Sequence, residues 1–409
     1  MKQIAVLGHG VVGSGVCELL DKNAASINGK AGCEIAVKRI LDLRDFPDLP
    51  YAGKFTKRFE DILEDTEIEV VVEVMGGVEP AFRFVKSSLE AGKSVVTSNK
   101  ELVARRGAEL LGCAREHNVN FLFEASVGGG IPIIRPLHQC LAANRIDEIA
   151  GILNGTTNFI LTKMFKEGMP FADALALAQK SGYAEANPAA DVEGVDACRK
   201  ICILASLAFG SHVYPERVHT QGITGITLAD VQYAEGADRV IKLVGRTYQA
   251  DGGVYAIVSP ALLHKDSQLG GIDDVFNGIL VRGDATGDVV FYGKGAGKLP
   301  TASAVIGDVI DCAKAAGHIG SLHWEDSDGD NVIDYRTQPA AKYVRCTGVS
   351  PAAVEAVFGK VSYLSRNAQP AGELAFLTPT MQEGELDAKL ARLEQDGCSI
   401  LSAIRTLDY

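Results

Sequence analysis

Along the first 130 residues, short apolar runs alternate with longer stretches whose apolar positions fall at helical spacing. IAVL (4–7), EIAVKRIL (34–41), EVVVEVM (69–75), SVVTS (94–98) and NFLFEASV (120–127) have strand character. Residues 11–20, 79–92 and 99–117 between them read as helices. Strands alternating with helices of this length predict parallel βαβ units with both sheet faces covered. The expected fold is a Rossmann-type, doubly wound α/β domain.

Beyond residue 135 the pattern changes. Helical stretches at 170–181, 195–209 and 227–234 precede strand-like segments at 238–248, 253–259, 278–283 and 286–292. This predicts an α+β domain on a largely antiparallel sheet. Residues 300–316 read as a helix with Pro300 before its start, and the acidic stretch 325–334 reads as a linker. The last stretch gives strand, helix, strand, strand, helix, strand, the order of a small ferredoxin-like unit. The expected domains are therefore 1–135 (completed by about 299–320), 136–298 and 338–409.

Composition narrows the class. The chain has 409 residues, enough for two or three domains at roughly 150 residues each. Its formal charge of −12 leaves no basic footprint for nucleic acid or an anionic membrane. No run approaches the ~18 apolar residues of a membrane span. MKQIAVLGHGVVG enters a strand and turn at once, with no signal-peptide cleavage site, so a cytoplasmic location is expected. The nine cysteines include no C-x-x-C pair and read as reduced, packed thiols.

Two constellations carry the chemistry. Gly8-His9-Gly10-Val11-Val12-Gly13 is G-x-G-x-x-G between a strand and a helix. One glycine makes the turn, one admits the pyrophosphate, and one packs helix on strand, with the phosphates at the helix N-terminus. A dinucleotide is expected there. Near the end of the second strand Asp42 would suit the ribose hydroxyls of NAD, whereas Lys38, Arg39 or Arg44 would suit the 2′-phosphate of NADP. The choice stays open.

The second constellation is Gly182-Tyr183-Ala184-Glu185-Ala186-Asn187-Pro188, then Asp191, Glu193, Asp196 and Lys200. Asp196 and Lys200 are four apart on one helix face. An exposed ion pair of this kind is worth only ~0.3–0.5 kcal/mol and would be unremarkable. Four carboxylates and a lysine crowded beside a glycine turn suit something else: an ammonium-bearing substrate and a proton source for hydride chemistry at a carbonyl. Lys100, in Thr97-Ser98-Asn99-Lys100, follows a strand's C-terminal end, where doubly wound sheets bind ligands.

These residues resemble the homoserine dehydrogenase family. The match runs through the glycine fingerprint, Thr97–Lys100, Glu124-Ala125-Ser126-Val127-Gly128-Gly129-Gly130-Ile131-Pro132, Asn154-Gly155-Thr156-Thr157-Asn158, the stretch Ala178–Lys200 and Gly293–Val305, in the expected order over about residues 3–320. The resemblance implies reversible NAD- or NADP-dependent reduction of L-aspartate 4-semialdehyde to L-homoserine, the branch step towards threonine, isoleucine and methionine. It gives Lys200 the acid/base role, with Lys100 assisting and contacting the coenzyme. Glu185 and Asp196 would hold the substrate, supported by Asp191. Ser98, Gly182 and Gly297 would line the coenzyme. Glu124, Val127, Gly129 and Ile131 match a structural monovalent cation site, for which the resemblance implies sodium. The middle domain would serve catalysis and dimerisation in a homodimer or homotetramer.

The match departs in two places. His9 stands where the family usually carries an apolar residue, and packing is its expected role. The C-terminal unit is ACT-like in strand order only, because Thr347-Gly348-Val349-Ser350-Pro351 replaces the acidic-x-Pro-Gly turn, which puts threonine feedback in doubt. Asp326, Asp328 and Asp330 lack the calcium loop's terminal Glu and read as solvated. Rival readings are a diaminopimelate- or saccharopine-type dehydrogenase, which would lack the Asp196/Lys200 spacing, and an aspartate semialdehyde dehydrogenase, which would need a nucleophilic cysteine. A non-catalytic metabolite sensor would have no use for both lysines.

Overall fold

The N-terminal apolar run folds as β1 (Lys2–Leu7), with Ile4 to Leu7 fully buried between helices. It is flanked in parallel by β2 (Ile35–Leu41) and β4 (Ile68–Glu73). β3 (Phe55–Thr56), β5 (Ser94–Thr97) and β6 (Phe121–Leu122) complete a six-stranded sheet in the order β3-β2-β1-β4-β5-β6. A computed structural model describes residues 1–315, 317–320 and 322–409, in two compact units. This sheet belongs to the first unit, residues 1–146, 202–216 and 293–331.

Helices Val11–Lys22 and Lys298–Lys314 pack on one another and on the sheet, where Val16, Ala302, Val305 and Val309 meet Ile4, Val6, Val70 and Val72 in one core. Each such valine or isoleucine side chain contributes about 1.5–3 kcal/mol of burial. The strand order reverses between β1 and β4, which opens the ligand crevice at their C-terminal ends.

The expected strand 120–127 stops at Leu122, and Glu124–Ser126 is a 3-10 turn. The cause is Glu124, whose buried carboxylate accepts the amide N–H groups of Ile133, Ile134 and Arg135 at 2.6, 2.9 and 2.7 Å and so turns the chain. The late helix starts at Lys298, so Pro300 sits inside its first turn, where a missing N–H costs nothing. It ends at Lys314; residue 316, where it was expected to end, lies outside the described residues. Part of the expected linker is built into the first unit. Glu325 exchanges backbone hydrogen bonds with Gly210 and His212, next to the buried Trp324.

The second unit, residues 147–201, 217–292 and 332–409, is one mixed ten-stranded sheet. β7 (Ile146–Ile152), β8 (His219–Thr220), β9 (Arg239–Ala250), β10 (Gly253–His264), β11 (Phe276–Gly283) and β12 (Gly287–Lys294) form its first part. The long β9–β10 hairpin is antiparallel. The C-terminal residues add β14 (Lys342–Thr347), β15 (Ser362–Leu364), β16 (Glu373–Leu377) and β18 (Ser399–Thr406) to it, while β13 (Pro339–Ala340) and β17 (Met381–Gln382) pair with each other as a separate two-stranded sheet. Helices Pro351–Phe358 and Glu383–Gln395 complete the βαββαβ pattern, and the order β18-β14-β16-β15 is ferredoxin-like.

Expected as a separate domain, this C-terminal part is continuous with the middle sheet because β18 pairs in parallel with β10. Buried Arg345 on β14 reinforces the join. Its Nε donates to Asp230 at 2.9 Å and its NH1 to Glu373 at 3.2 Å. Among the described residues no helix is long and apolar enough to cross a membrane.

Candidate active site

The glycine fingerprint lies between β1 and the helix Val11–Lys22. Gly8 has φ +97°, a conformation that favours glycine, and a Cβ on Gly13 would sit 2.0 Å from the Gly8 carbonyl oxygen. A Cβ on Gly10 would meet nothing within 4 Å. Two glycines therefore shape the turn, while the third leaves open space at a helix N-terminus. That cradle fits a pyrophosphate. Val11 is exposed beside it and Val12 half-buried, so the helix offers its first amides there.

His9 packs, as expected. It is buried between Phe46, Tyr51 and Phe55, with centroids 4.9, 5.8 and 5.1 Å away, and burial pushes its pKa down. Asp42, just past β2, accepts the His9 N–H at 2.8 Å. Arg44 grips the same carboxylate through Nε and NH2 at 3.0 and 2.9 Å. The guanidinium holds the Asp42 carboxyl well below the usual carboxylate range.

At the ends of β4 and β5 the buried Glu73 organises the approach to Lys100. Its carboxylate accepts the Thr97 hydroxyl at 2.6 Å and the Met75 N–H at 2.7 Å. Thr97 in turn accepts the Asn99 N–H, and Asn99 caps the helix Lys100–Glu116 while its amide donates to Gly77 O at 2.6 Å. Lys100, half-buried, is the first residue of that helix and donates its N–H to the Ser98 carbonyl. Gly297 caps the helix Lys298–Lys314 at φ +128°. Glu124, Val127, Gly129 and Ile131 lie in a buried turn, so tight that a Cβ on Gly128 would stand 2.2 Å from the Ile131 carbonyl oxygen. Backbone oxygens are the atoms this turn could offer a cation, since the Glu124 carboxylate is committed to three amides.

In the second unit Asp196 and Lys200 lie on the helix Val195–Phe209, which follows the short helix Ala189–Val192 and the turn at Gly194. Their ion pair spans 2.9 Å, with side chains only 5% and 8% exposed. The exposed surface pair is excluded. Lys200 Nζ also donates to the carbonyl oxygen of Leu153, at the end of β7, at 2.7 Å. Asn154, next in the chain, donates to Asp191 at 2.7 Å and to Asp196 at 2.9 Å.

The structure thus brings Asp191, Asp196 and Lys200 together. Glu185 lies apart from that cluster's hydrogen bonds, exposed, with its backbone carbonyl accepting the Gln179 side chain. Gly182 is exposed at φ +76°, and the neighbouring Tyr183 carbonyl accepts the Thr156 hydroxyl at 2.5 Å. Thr156 and Leu153 were absent from the candidate residues. A backbone acceptor carries no side-chain signal, whereas Thr156 stood inside a quoted motif.

Residues 8–124 match the NAD-binding domain of homoserine dehydrogenase and residues 132–310 match homoserine dehydrogenase itself. A homoserine dehydrogenase from Synechocystis sp. is 46% identical over 318 residues, covering 76% of this chain and 72% of the relative. The crystal structure of a homoserine dehydrogenase from Thiobacillus denitrificans superposes with a TM-score of 0.92 at 37% identity, covering 99% of this chain and 98% of that one. A hyperthermophilic archaeal homoserine dehydrogenase in complex with NADPH is 29% identical with a TM-score of 0.66, covering 77% of this chain and 98% of that one. The chain belongs to the homoserine dehydrogenase family.

Proposed function

We propose that the chain interconverts L-aspartate 4-semialdehyde and L-homoserine with NAD(P)(H), the branch step towards threonine, isoleucine and methionine. The observation that carries the reading is the buried Asp196–Lys200 pair, locked to the end of β7 by Leu153 and Asn154. In reduction, hydride arriving at the aldehyde carbon leaves negative charge on oxygen. Lys200 as ammonium gives that oxygen a proton, and in oxidation the neutral amine takes one from the hydroxyl. Asp196 stabilises the ammonium, while the Leu153 carbonyl fixes where Nζ stands. Asp191 and Glu185 are assigned, with Asp196, to the substrate's ammonium side.

NAD(P)H, when bound, supplies the hydride. Gly8, Gly10 and Gly13 with Val11 and Val12 would hold its pyrophosphate, and Ser98, Lys100, Gly182 and Gly297 are assigned to coenzyme contacts. His9 supports that loop from beneath. Asp42 offers a charged acceptor to ribose hydroxyls and Arg44 an exposed guanidinium to a 2′-phosphate, which supports use of both NAD and NADP. Glu124, Val127, Gly129 and Ile131 are assigned through backbone oxygens to a structural monovalent cation.

Reduction of NAD⁺ and NADP⁺ by L-homoserine, followed by absorbance, tests the reading. Turnover with homoserine is expected. Binding of coenzyme without turnover would favour a metabolite sensor instead.

A further inference from the structure

Asn154 is 5% exposed and caps the helix Gly155–Glu167. Its Oδ1 accepts the backbone N–H of Thr157 at 2.8 Å. A backbone N–H can only donate, so Oδ1 must face it and the Nδ2 group must face the other way. There it meets Asp191 at 2.7 Å and Asp196 at 2.9 Å, residues from two successive helices. Asp196 in turn holds Lys200. The charged groups brought to this amide are thus Asp191, Asp196 and, through Asp196, Lys200.

Two carboxylates this close repel, and a shared cation between them would neutralise the charge a substrate ammonium is to meet. A primary amide does neither. Its two N–H groups satisfy one carboxylate each and leave both charges in place. Hydrogen bonds to the ionised form also favour ionisation, so the amide helps keep the buried Asp196 and the half-buried Asp191 charged.

We infer that Asn154 is a positioning residue of the active site: its amide bridges Asp191 and Asp196, sets their spacing and keeps both ionised for substrate binding. The inference rests on the reaction proposed above and adds to it a residue that touches neither reacting atom.

Helix capping and carboxylate bridging come apart in two variants, because Ser and Asp cap helices about as well as Asn. Asn154→Ser keeps the cap and loses the bridge. Asn154→Asp keeps the cap and turns a third carboxylate on the other two. With both variants melting close to wild type, kcat/KM for L-homoserine is expected to fall about ten- to a hundredfold in Asn154→Ser and further in Asn154→Asp. The acid limb of the pH profile should move to higher pH in Asn154→Ser, because carboxylates stripped of donors protonate more readily. Coenzyme affinity should hold.

Wild-type rates and pH profiles in both capped variants would overturn the inference and leave the proposed reaction standing. Absence of homoserine turnover in the wild type would overturn the reaction instead. In that case NMR titration of the aspartate carboxyls decides the bridge: an upward move of two of them in Asn154→Ser supports it, and unchanged titration refutes it. Should Asn154→Ser fail to fold, Asn154→Thr, which also caps helices and lacks the amide, gives the same two readouts.

Discussion

Lys200 Nζ stands 2.7 Å from the carbonyl oxygen of Leu153, a backbone acceptor that no side-chain substitution at 153 removes. The ammonium is therefore anchored by the sheet as well as by Asp196 on its own helix. Lys200→Ala deletes the proton donor and is expected to lower kcat by about 10²–10⁴-fold. Coenzyme affinity, which the proposed reading rests mainly on the glycine loop after β1, should stay near wild type. Retention of more than about a tenth of wild-type turnover, less than ~1.4 kcal/mol of barrier, would remove Lys200 from the acid/base role.

The glycine loop yields a contrast between neighbours. Gly10→Ala adds a methyl into open space at φ −81°, where any residue is comfortable. The melting temperature should not move, while dinucleotide affinity falls because the methyl occupies the pyrophosphate's approach. Gly13→Ala drives a methyl to 2.0 Å from Gly8 O, so both stability and binding should drop. Equal coenzyme affinity in Gly10→Ala and wild type would place the phosphates elsewhere.

Much of the first unit was legible because parallel strands buried on both faces read as unbroken apolar runs, with the glycines marking the turn after β1. β7 escaped notice for the opposite reason. Asp147 and Glu148 interrupt its apolar pattern, and Glu148 is tolerated inside because Arg246 and Arg282 reach it at 2.5 and 2.9 Å and the Tyr409 hydroxyl donates to it at 2.7 Å. The pairing of β18 with β10 joins segments more than a hundred residues apart, and periodicity says nothing about it. In the site, the i, i+4 spacing announced the Asp196–Lys200 pair but not its burial. The amide of Asn154 meets partners 37 and 42 positions away, a geometry supplied by the fold alone.

In the proposed reading, coenzyme choice turns on Asp42 and Arg44. The guanidinium is 62% exposed and lies 5.2 Å from the Phe46 ring centroid, which steadies it at the end of β2. Arg44→Ala should weaken NADP binding about fivefold or more and NAD binding much less, since the His9 N–H still orients Asp42. Titration of both coenzymes measures the ratio. An unchanged ratio would show that Arg44 does not select between them.

A last prediction concerns acid stability in the first unit. Trp324 Nε1 donates to Nδ1 of His212 at 2.9 Å, and His212 Nε2 lies 2.9 Å from the carbonyl oxygen of Ala104. An indole N–H only donates, so Nδ1 must be the acceptor and the ring neutral, with its proton on Nε2. Burial lowers the His212 pKa below the ordinary histidine value. With the folded pKa depressed, the unfolded chain binds the proton first. This ring's stability is then full above the unfolded value of about 6.5 and is lost as pH falls through the folded one. Protonated Nδ1 would turn a donor on a donor and break the Trp324 contact. The chain has one tryptophan, so its emission reports this contact directly. As pH falls below about 6.5 the melting temperature should fall first, and the native emission should shift only when pH reaches the lower folded value. A native emission that never shifts, down to the pH at which the protein unfolds, would move the acid-sensitive group to another of the buried histidines.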